Sequence, residues 1–273
     1  MSVIETALAK LKKSDPGNKA ETRTQQRRVK VSDIAAGGTQ AQATRRFLPA
    51  TFDTVLMERN RILPQVADQA ALRAYKILRT RLLQRLAANK WQSVAITGTE
   101  SGQGKTLTAI NLAITLAQDP NTSVCLVDLD LQRPQLATQM GMGFELGLGD
   151  YLLGECQAEQ IMYQSNFPHL VIIPNSKRFE HSSEVLAGAR MLDLLGIIET
   201  EMPRHIVIFD MPPMLLADDV LTFAPHVDGV LLVLAEGLTQ RASVEKAKEL
   251  LGDMNLVGVV LNRSSERDIS SYY

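Results

Sequence analysis

The stretch from Ile96 to Thr106 reads Ile-Thr-Gly-Thr-Glu-Ser-Gly-Gln-Gly-Lys-Thr. A short apolar run, Val94 to Ile96, leads into it, and an apolar pattern with helical spacing follows from Leu107 to Leu116. This order of strand, glycine-rich turn, Lys-Thr and helix is typical of a nucleotide phosphate site. Backbone N–H groups of such a turn and of the helix N-terminus surround an anion.

Two side chains in this turn carry specific chemistry. Lys105 supplies a positive charge for the β and γ phosphates, and the Thr106 hydroxyl is a ligand for Mg²⁺. The standard Gly-x-x-x-x-Gly-Lys-Ser/Thr pattern places a glycine at position 99, where this chain has Thr99, and Gly98 lies one residue earlier. A Gly-Lys-Thr tripeptide alone also fits a surface turn, but its position between strand and helix favours phosphate binding. The predicted nucleotide-binding residues here are Gly102, Gln103, Gly104, Lys105, Thr106 and Leu107.

The charge of the 273-residue chain is distributed unevenly. Its formal net charge is -1, but residues 1–90 hold 18 Lys and Arg against 7 Asp and Glu, whereas residues 91–273 hold 11 against 23. A basic arm therefore precedes an acidic body. A solvated, flexible segment is the simplest interpretation of the arm, with anionic lipid or the acidic body as alternative contacts. The arm lacks the interleaved aromatic residues of single-strand nucleic-acid binding, so no nucleic-acid partner is expected.

Cysteine usage and hydropathy predict a cytoplasmic protein. Two cysteines do not form a disulfide framework, and Cys125 lies in the apolar run Val124 to Val127, as a small core residue does. No apolar stretch approaches the ~18 to 20 residues of a membrane-spanning helix, and the N-terminus lacks the apolar region of a signal peptide. Membrane contact is therefore expected only through a partner or a surface. The four histidines show no metal-ligand spacing with the cysteines.

Hydrophobic periodicity divides the chain into three parts. Residues 1–60 are predicted to be a flexible basic arm that includes a possible short helix in the first dozen residues and a linker from about 14 to 50. An amphipathic helix is predicted from Ala70 to Leu86 within the nucleotide-binding domain, residues 61–268. Residues 269–273 are predicted to be a tyrosine-containing tail.

The remaining domain alternates apolar runs with helical patterns. Near-continuous apolar strands are buried on both faces, so an α/β fold is predicted, with a mostly parallel sheet flanked by helices on both faces. In such sheets ligands bind beyond the carboxyl ends of the strands. The predicted strands are Ser93 to Thr97, Val124 to Asp128, Leu170 to Ile173, Ile206 to Asp210, Gly229 to Leu234 and Val257 to Leu261.

Acidic residues stand where two of these strands end. Asp128 and Asp130 follow one strand, and Asp210 follows another. Mg²⁺ is typically held by one or two carboxylates together with substrate phosphates, so Asp210 and Asp128 are predicted metal ligands with Thr106. Asp130 is placed to accept the proton of an incoming hydroxyl, such as a tyrosine's. A single such aspartate is also common as a helix cap or an exposed strand end, which is the alternative interpretation.

As a set, these motifs resemble the bacterial tyrosine autokinases of the polysaccharide co-polymerase system, which belong to the MinD/ParA-like P-loop ATPases. The resemblance covers roughly residues 70–273. The motifs that carry it are the deviant phosphate loop, Asp128-x-Asp130-x-x-Arg133-Pro134, Asp210-x-Pro212-Pro213, Asp228-Gly229 and Gly258-Val-Val-Leu-Asn262.

This resemblance implies a specific biochemistry. The chain would bind ATP and Mg²⁺ and transfer phosphate to tyrosines of its own tail, Tyr272 and Tyr273, on a neighbouring copy in a homo-oligomer. Asn262 would face adenine. The chain would act with a membrane protein that determines polysaccharide chain length, at the inner face of the plasma membrane. The family's Glu-x-x-Arg-x-x-Arg ring-assembly element is incomplete, because Arg73 stands in place of the glutamate.

Two other functions compete with a kinase. One is a regulatory ATP-binding subunit of the co-polymerase that phosphorylates no tyrosine. The other is a MinD/ParA-type positioning ATPase, in which a lysine two residues before the Gly-x-Gly-Lys-Thr core crosses the dimer interface. Glu100 occupies that position here, and an anion does not perform that role toward phosphate.

Overall fold

The computed structural model describes residues 47–65 and 68–264. The chain divides into two units, residues 1–46 and 47–273, and the first lies wholly outside the described residues. The short helix predicted for the first dozen residues, Tyr272 and Tyr273 also lie outside them.

Ten strands form two sheets. The strands are β1 (Leu48–Pro49), β2 (Thr51–Phe52), β3 (Ser93–Gly98), β4 (Ser123–Asp128), β5 (Met142–Gly143), β6 (Tyr163–Gln164), β7 (Leu170–Ile173), β8 (His205–Asp210), β9 (Gly229–Ala235) and β10 (Leu256–Asn262). Eight of them form the main sheet in the order β1-β6-β7-β4-β8-β3-β9-β10, and β2 pairs with β5. Every neighbouring pair of the main sheet is parallel except β6 and β7.

Helices connect the parallel strands. They are α1 (Thr54–Arg59), α2 (Gln69–Asn89), α3 (Lys105–Ala117), α4 (Leu136–Met140), α5 (Leu148–Leu152), α6 (Ser182–Leu186), α7 (Ala189–Glu201), α8 (Asp219–Phe223) and α9 (Arg241–Leu251), with 3₁₀ turns at Ala158–Ile161 and Ala224–His226. None of the helices in the described ranges has the length and apolar character needed to span a membrane.

Alternate residues of each central strand enter two separate hydrophobic clusters. In β3, Val94 and Ile96 pack with apolar residues of α2, α3 and α4, whereas Ala95 packs with the cluster that contains residues of α7, α8 and α9. The sheet is therefore buried on both faces, which explains the near-continuous apolar strands. Strand register places Asp210 beside both Asp128 and Ile96. The carboxyl ends of β3, β4 and β8 thus meet at one edge.

The predicted sheet is confirmed. All six predicted strands are present within one residue at each end, and the predicted helix from Ala70 to Leu86 extends from Gln69 to Asn89. The sequence pattern missed the four two-residue strands, which are too short to show periodicity.

Both cysteines are buried free thiols, and burial raises the pKa of Cys125 to about 12.

The predicted arm, residues 1–60, includes residues 47–60, which belong to the second unit. Leu48 pairs with Tyr163 in the main sheet, and the Asp53 carboxylate accepts hydrogen bonds from two backbone N–H groups at the start of α1. Met57 and Ile62 are fully buried in the same cluster as α3. This segment packs through isolated apolar residues, and isolated residues produce no periodic pattern in the sequence. The predicted end of the linker at residue 50 and the predicted domain boundary at residue 60 are therefore wrong.

Candidate functional site

The phosphate loop lies between the end of β3 at Gly98 and the start of α3 at Lys105, and a buried glutamine holds its shape. The Gln103 amide nitrogen donates to the hydroxyls of Thr99 at 2.7 Å and Thr239 at 2.8 Å. Its carbonyl oxygen accepts from the Glu100 backbone N–H at 3.0 Å. The Gln103 side chain is fully buried and both of its polar atoms are bonded. The loop is therefore held from the inside, without a ligand.

This arrangement explains the unusual order of threonine and glycine before the loop. A β-carbon on Gly98 would collide with the side-chain oxygen of Gln103 and would lie 2.8 Å from the Val233 carbonyl oxygen. Thr99 is buried, and its hydroxyl accepts one of the Gln103 hydrogen bonds. Glycine is needed at 98 for space, and a hydroxyl at 99 has a partner. The departure from the standard motif is thus a feature of loop packing.

The carboxyl end of β10 supports the loop from the other side. The Asn262 amide nitrogen donates to the backbone carbonyl oxygen of Gln103 at 2.9 Å, and the Arg263 guanidinium donates to the backbone carbonyl oxygen of Gly102 at 2.7 Å. Gly104 has φ 87°, and a β-carbon there would collide with the Asn262 amide. Asn262 therefore braces the loop. Its contact with adenine stays a prediction.

Lys105 and Thr106 begin α3 at the positive end of the helix dipole. Lys105 is only 8% exposed, and its positive charge opposes the rise that burial causes in the pKa of both Asp130 and Asp210. The N-terminus of this 13-residue helix has no side-chain cap. Its first N–H groups and the lysine ammonium are therefore available to an anion.

Asp210, the last residue of β8, carries a buried carboxylate. It is 1% exposed, and neither of its oxygens has a hydrogen-bond partner in the described part of the chain. Burial raises its pKa to about 7, the nearby Thr106 hydroxyl and Lys105 lower it, and the charge of Asp130 raises it. The contribution of the Thr106 hydroxyl to this pKa places it close to the carboxylate. A buried polar group in this state needs a partner.

Asp128 and Asp130 follow β4 and have different surroundings. Both oxygens of the fully buried Asp128 accept backbone hydrogen bonds, from Asp130 at 3.3 Å and from Leu136 at 3.1 Å. Its pKa is raised, first by burial and then by the charge of Asp210. Asp130 is partly exposed and accepts from the Arg133 N–H at 3.0 Å, and burial raises its pKa while Arg133 and Lys105 lower it. Asp128 thus also shapes the loop that carries Asp130.

The residues predicted for the site lie together as far as they are described. One edge of the sheet carries five of them, with the loop residues beside: Lys105, Thr106, Asp128, Asp130 and Asp210. No group of three or more His, Cys, Asp and Glu side chains within residues 47–65 and 68–264 is arranged as a complete metal cage.

Sequence reasoning missed the residues that brace the loop from α9 and from the turn before it. Thr239 receives the Gln103 hydrogen bond, and its hydroxyl also accepts from the Ala235 N–H at 2.8 Å. The Ser243 hydroxyl donates to the Glu100 carboxylate at 2.5 Å. Neither residue belongs to a motif, so no sequence signal marked them.

Asp218 and Asp219 stand at the start of α8. Asp219 is the first residue of α8, and neither side chain caps it. Asp219 is instead fully buried and accepts a hydrogen bond from Ser182.

Similarity to known proteins agrees with this geometry. Residues 94–272 match the CobQ/CobB/MinD/ParA nucleotide binding domain family. The chain is 31% identical over 218 residues to the tyrosine-protein kinase YwqD of Bacillus subtilis, a match that covers 79% of this chain and 91% of that protein. It is also 31% identical over 176 residues to the tyrosine-protein kinase CpsD of Streptococcus agalactiae, covering 63% of this chain and 75% of CpsD.

Solved structures give the same assignment. The kinase domain of the Escherichia coli tyrosine kinase ETK has a TM-score of 0.64 and 27% identity, with 72% of this chain and 77% of that chain covered. The VpsO kinase domain has a TM-score of 0.63 and 27% identity, with 72% and 96% covered. The phosphate loop, the strand-end carboxylates and these relatives converge, and the chain belongs to the bacterial tyrosine-protein kinases within the CobQ/CobB/MinD/ParA nucleotide-binding family.

Proposed function

We propose that this site binds ATP with Mg²⁺ and transfers the γ-phosphoryl group to tyrosines of a neighbouring copy of the chain. The observation that carries the proposal is the buried carboxylate of Asp210. Its two unpartnered oxygens lie beside the Thr106 hydroxyl and within electrostatic reach of Lys105. A hard cation that prefers oxygen ligands fits these groups, because its positive charge compensates the negative charge of the buried carboxylate.

The candidate metal ligands are Thr106, Asp210 and Asp128. Asp210 fits best, since its oxygens have no hydrogen-bond partner within residues 47–65 and 68–264, whereas each oxygen of Asp128 already accepts a backbone hydrogen bond. Mg²⁺, when bound, neutralises phosphate charge and orients the phosphate chain.

The protein groups then have separate tasks in the transfer. The ammonium of Lys105 and the N–H groups of the loop and of α3 hold the negative phosphate oxygens. The phenolic oxygen forms the new bond to phosphorus, the bond from phosphorus to the β–γ bridging oxygen breaks, and ADP leaves. Asp130 takes the phenolic proton. The raised pKa of its carboxylate makes it a stronger base than an exposed aspartate.

We also propose where this chemistry acts. The acceptors are Tyr272 and Tyr273, in the last two positions of the sequence. The reaction regulates the polymerisation and export of an exopolysaccharide or capsule, through a membrane co-polymerase that determines chain length. The kinase then works in the cytoplasm, peripheral to the plasma membrane. The family resemblance and the tyrosine-kinase relatives support these assignments.

Phosphate mapping tests the reaction. The purified chain is incubated with Mg-ATP, with and without the cytoplasmic segment of its co-polymerase, and phosphorylated residues are located by mass spectrometry. We expect phosphotyrosine at 272 or 273 that is lost in Lys105→Ala and Asp130→Asn. Asp253→Asn, which removes an exposed carboxylate outside the site, is the matched control and should retain it. ATP hydrolysis without phosphotyrosine would instead support the regulatory ATP-binding subunit.

A mixing experiment tests transfer between copies. Lys105→Ala protein retains its tail tyrosines but lacks the phosphate-binding ammonium, and the Tyr272→Phe/Tyr273→Phe variant has the converse defect. Neither alone should form phosphotyrosine in the tail. When the two are mixed with Mg-ATP, we expect phosphate on the Lys105→Ala chain. Labelling of wild-type chains with none in the mixture would show that transfer occurs within one chain.

The positioning-ATPase alternative is not favoured. Glu100, at the position of the interface lysine, accepts a hydrogen bond from Ser243 of its own chain, so this side chain is directed to an internal partner.

A further inference from the structure

Three side chains connect a loop and two helix starts at the carboxyl edge of the sheet. Gln132 lies after β4, Ser182 is the first residue of α6, and Asp219 is the first residue of α8. The Gln132 amide donates to the Ser182 hydroxyl at 3.0 Å, and that hydroxyl donates to the Asp219 carboxylate at 2.8 Å. The chain of hydrogen bonds therefore spans segments that are separated widely in sequence.

The inner end of this connection is buried and incompletely bonded. Ser182 is 2% exposed and Asp219 is fully buried. The second carboxylate oxygen of Asp219 has no hydrogen-bond partner in the described residues. A buried carboxylate retained with a single side-chain hydrogen bond is unfavourable for folding alone. Neither Asp219 nor Ser182 caps its own helix, so helix capping does not account for them.

The outer end of the connection reaches the loop that carries the predicted proton acceptor. Gln132 is two residues after Asp130, and the Phe179 N–H donates to the Leu131 carbonyl oxygen at 3.0 Å, close to Ser182 in sequence. The charge of Asp130 contributes to the raised pKa of Asp219, after burial as the main cause, so the two carboxylates lie within electrostatic reach.

We propose that Asp219 is a positioning residue for phosphoryl transfer, acting through Ser182 and Gln132 to hold the Asp130 loop in place for the acceptor hydroxyl. This inference rests on the proposed function. Asp219 would have no direct role in nucleotide binding, because the contacts that brace the phosphate loop come from Thr239, Asn262 and Arg263 instead. The effect should therefore appear in kcat and leave the KM for ATP unchanged.

Steady-state kinetics with Mg-ATP test this prediction. Ser182→Ala removes the central hydroxyl, and we expect kcat to fall about tenfold with an unchanged KM for ATP, since a small displacement of a reacting group has effects of this order. Asp219→Asn keeps an oxygen that accepts from Ser182 and should remain within about threefold of the wild type. Ser183→Ala, an adjacent hydroxyl bonded only to Glu184 among the described contacts, is the matched control.

A variant at the exposed end keeps the test independent of folding defects. Gln132 is exposed, so Gln132→Ala should fold normally, and because it interrupts the same connection it should lower kcat about as much as Ser182→Ala, with the KM for ATP unchanged. A rise in the KM for ATP in these variants, or a kcat in Ser182→Ala equal to that of the wild type, would overturn the proposal. So would an equal loss of kcat in Asp219→Asn and Ser182→Ala, because the asparagine keeps the acceptor.

Amide hydrogen exchange separates this inference from the proposed function. Ser182→Ala should speed exchange in residues 131–133 and leave residues 99–106 unchanged, whether or not the protein is an active kinase. If the wild type forms no phosphotyrosine, the proposed function fails, and the exchange measurement still decides whether the connection holds the Asp130 loop. Unchanged exchange in residues 131–133 would refute it.

Discussion

The phosphate loop and the acidic edge beside it differ in how completely they are hydrogen-bonded. The Gln103 side chain is buried and uses both its polar atoms within the chain. Of the five buried side-chain polar atoms without a partner in the described residues, three belong to Asp210 and Asp219. The loop is therefore held by its own hydrogen bonds, whereas the acidic edge has buried carboxylate oxygens without a partner in the described residues.

This difference has an energetic meaning. An unpartnered buried carboxylate destabilises the folded chain, and a cation that binds the folded state alone offsets that destabilisation. The unfavourable electrostatics therefore lie at the edge proposed to bind the metal and the acceptor, whereas the glycine-rich turn is fully hydrogen-bonded through Gln103. Four substitutions or changes of condition test this contrast, with decreasing effect.

Asp210→Asn should have the largest effect and should separate activity from stability. Loss of the carboxylate should reduce autophosphorylation by about a hundredfold or more, since removal of one preorganised electrostatic group typically has this effect. The ligand-free variant should nevertheless have a higher Tm than the wild type, because a neutral amide is less costly to bury than a charged oxygen pair. Phosphotyrosine yield and thermal unfolding measure the two outcomes.

The exposed Asp253→Asn change is the control and should alter neither quantity. A lower Tm in Asp210→Asn would show that the Asp210 carboxylate is already satisfied in the ligand-free protein, and the contrast between the two regions would then disappear.

The pH dependence of stability should depend on Asp210. Its pKa is raised to about 7 in the folded chain, above the value of about 3.9 for an unfolded aspartate. The folded state therefore holds the proton more tightly, and the free energy of unfolding should fall as pH rises from about 4 to about 7. Each pKa unit corresponds to about 1.4 kcal/mol, so a loss of a few kcal/mol is expected.

Urea unfolding at pH 5 and pH 8 measures this loss. Asp210→Asn should show a smaller fall between the two pH values, and Mg-ADP at pH 8 should restore stability to the wild type more than to the variant. Parallel pH curves for the two proteins would assign the dependence to other groups.

Thr239→Val should affect the phosphate-loop side alone. The valine has nearly the same shape but leaves one donor of the buried Gln103 amide and the Ala235 N–H unpaired. Leaving such buried donors unpaired destabilises the folded phosphate loop by about 1–3 kcal/mol. Because this loop binds ATP in the proposed function, the KM for ATP should rise about tenfold with little change in kcat. Thr200→Val, which removes a hydroxyl bonded within its own helix, is the control. A fall in kcat without a change in KM would break the separation of the two regions.

Arg263→Ala should have the smallest effect. Its guanidinium donates to the Gly102 carbonyl oxygen, but the residue is exposed, so solvent replaces much of the interaction. We expect the affinity for ATP, measured by calorimetry, to fall about twofold to threefold. Arg241→Ala, an exposed arginine paired with Glu245, should leave it unchanged. A tenfold loss would indicate that Arg263 contacts the nucleotide itself.

Much of the fold followed from local patterns. The central strands are apolar on both faces and end in motif residues, so their existence and their common edge were predictable from periodicity and from the geometry of parallel sheets. The sequence also predicted that three site residues are neighbours, because each stands at the end of a strand or the start of a helix: Lys105, Thr106 and Asp210. Their roles remain predictions that the proposed experiments test.

The bracing residues were not predictable in the same way. Thr239 and Ser182 are single hydroxyls with no motif, and their importance depends on partners about 140 and 40 residues away, which only the tertiary structure brings together. The segment that contains Met57 was assigned to the arm because isolated buried side chains leave no periodic signal.

The two buried cysteines make the protein convenient for fluorescence work. Thiolates react with common labelling reagents, and a thiol whose pKa is raised to about 12, as for Cys125, is nearly all protonated at neutral pH. Cys156 is also buried, and burial raises its pKa as well. A cysteine introduced at the exposed Leu216, in the segment after Asp210, would therefore accept a dye selectively and report on the acidic edge as Mg-ATP is added.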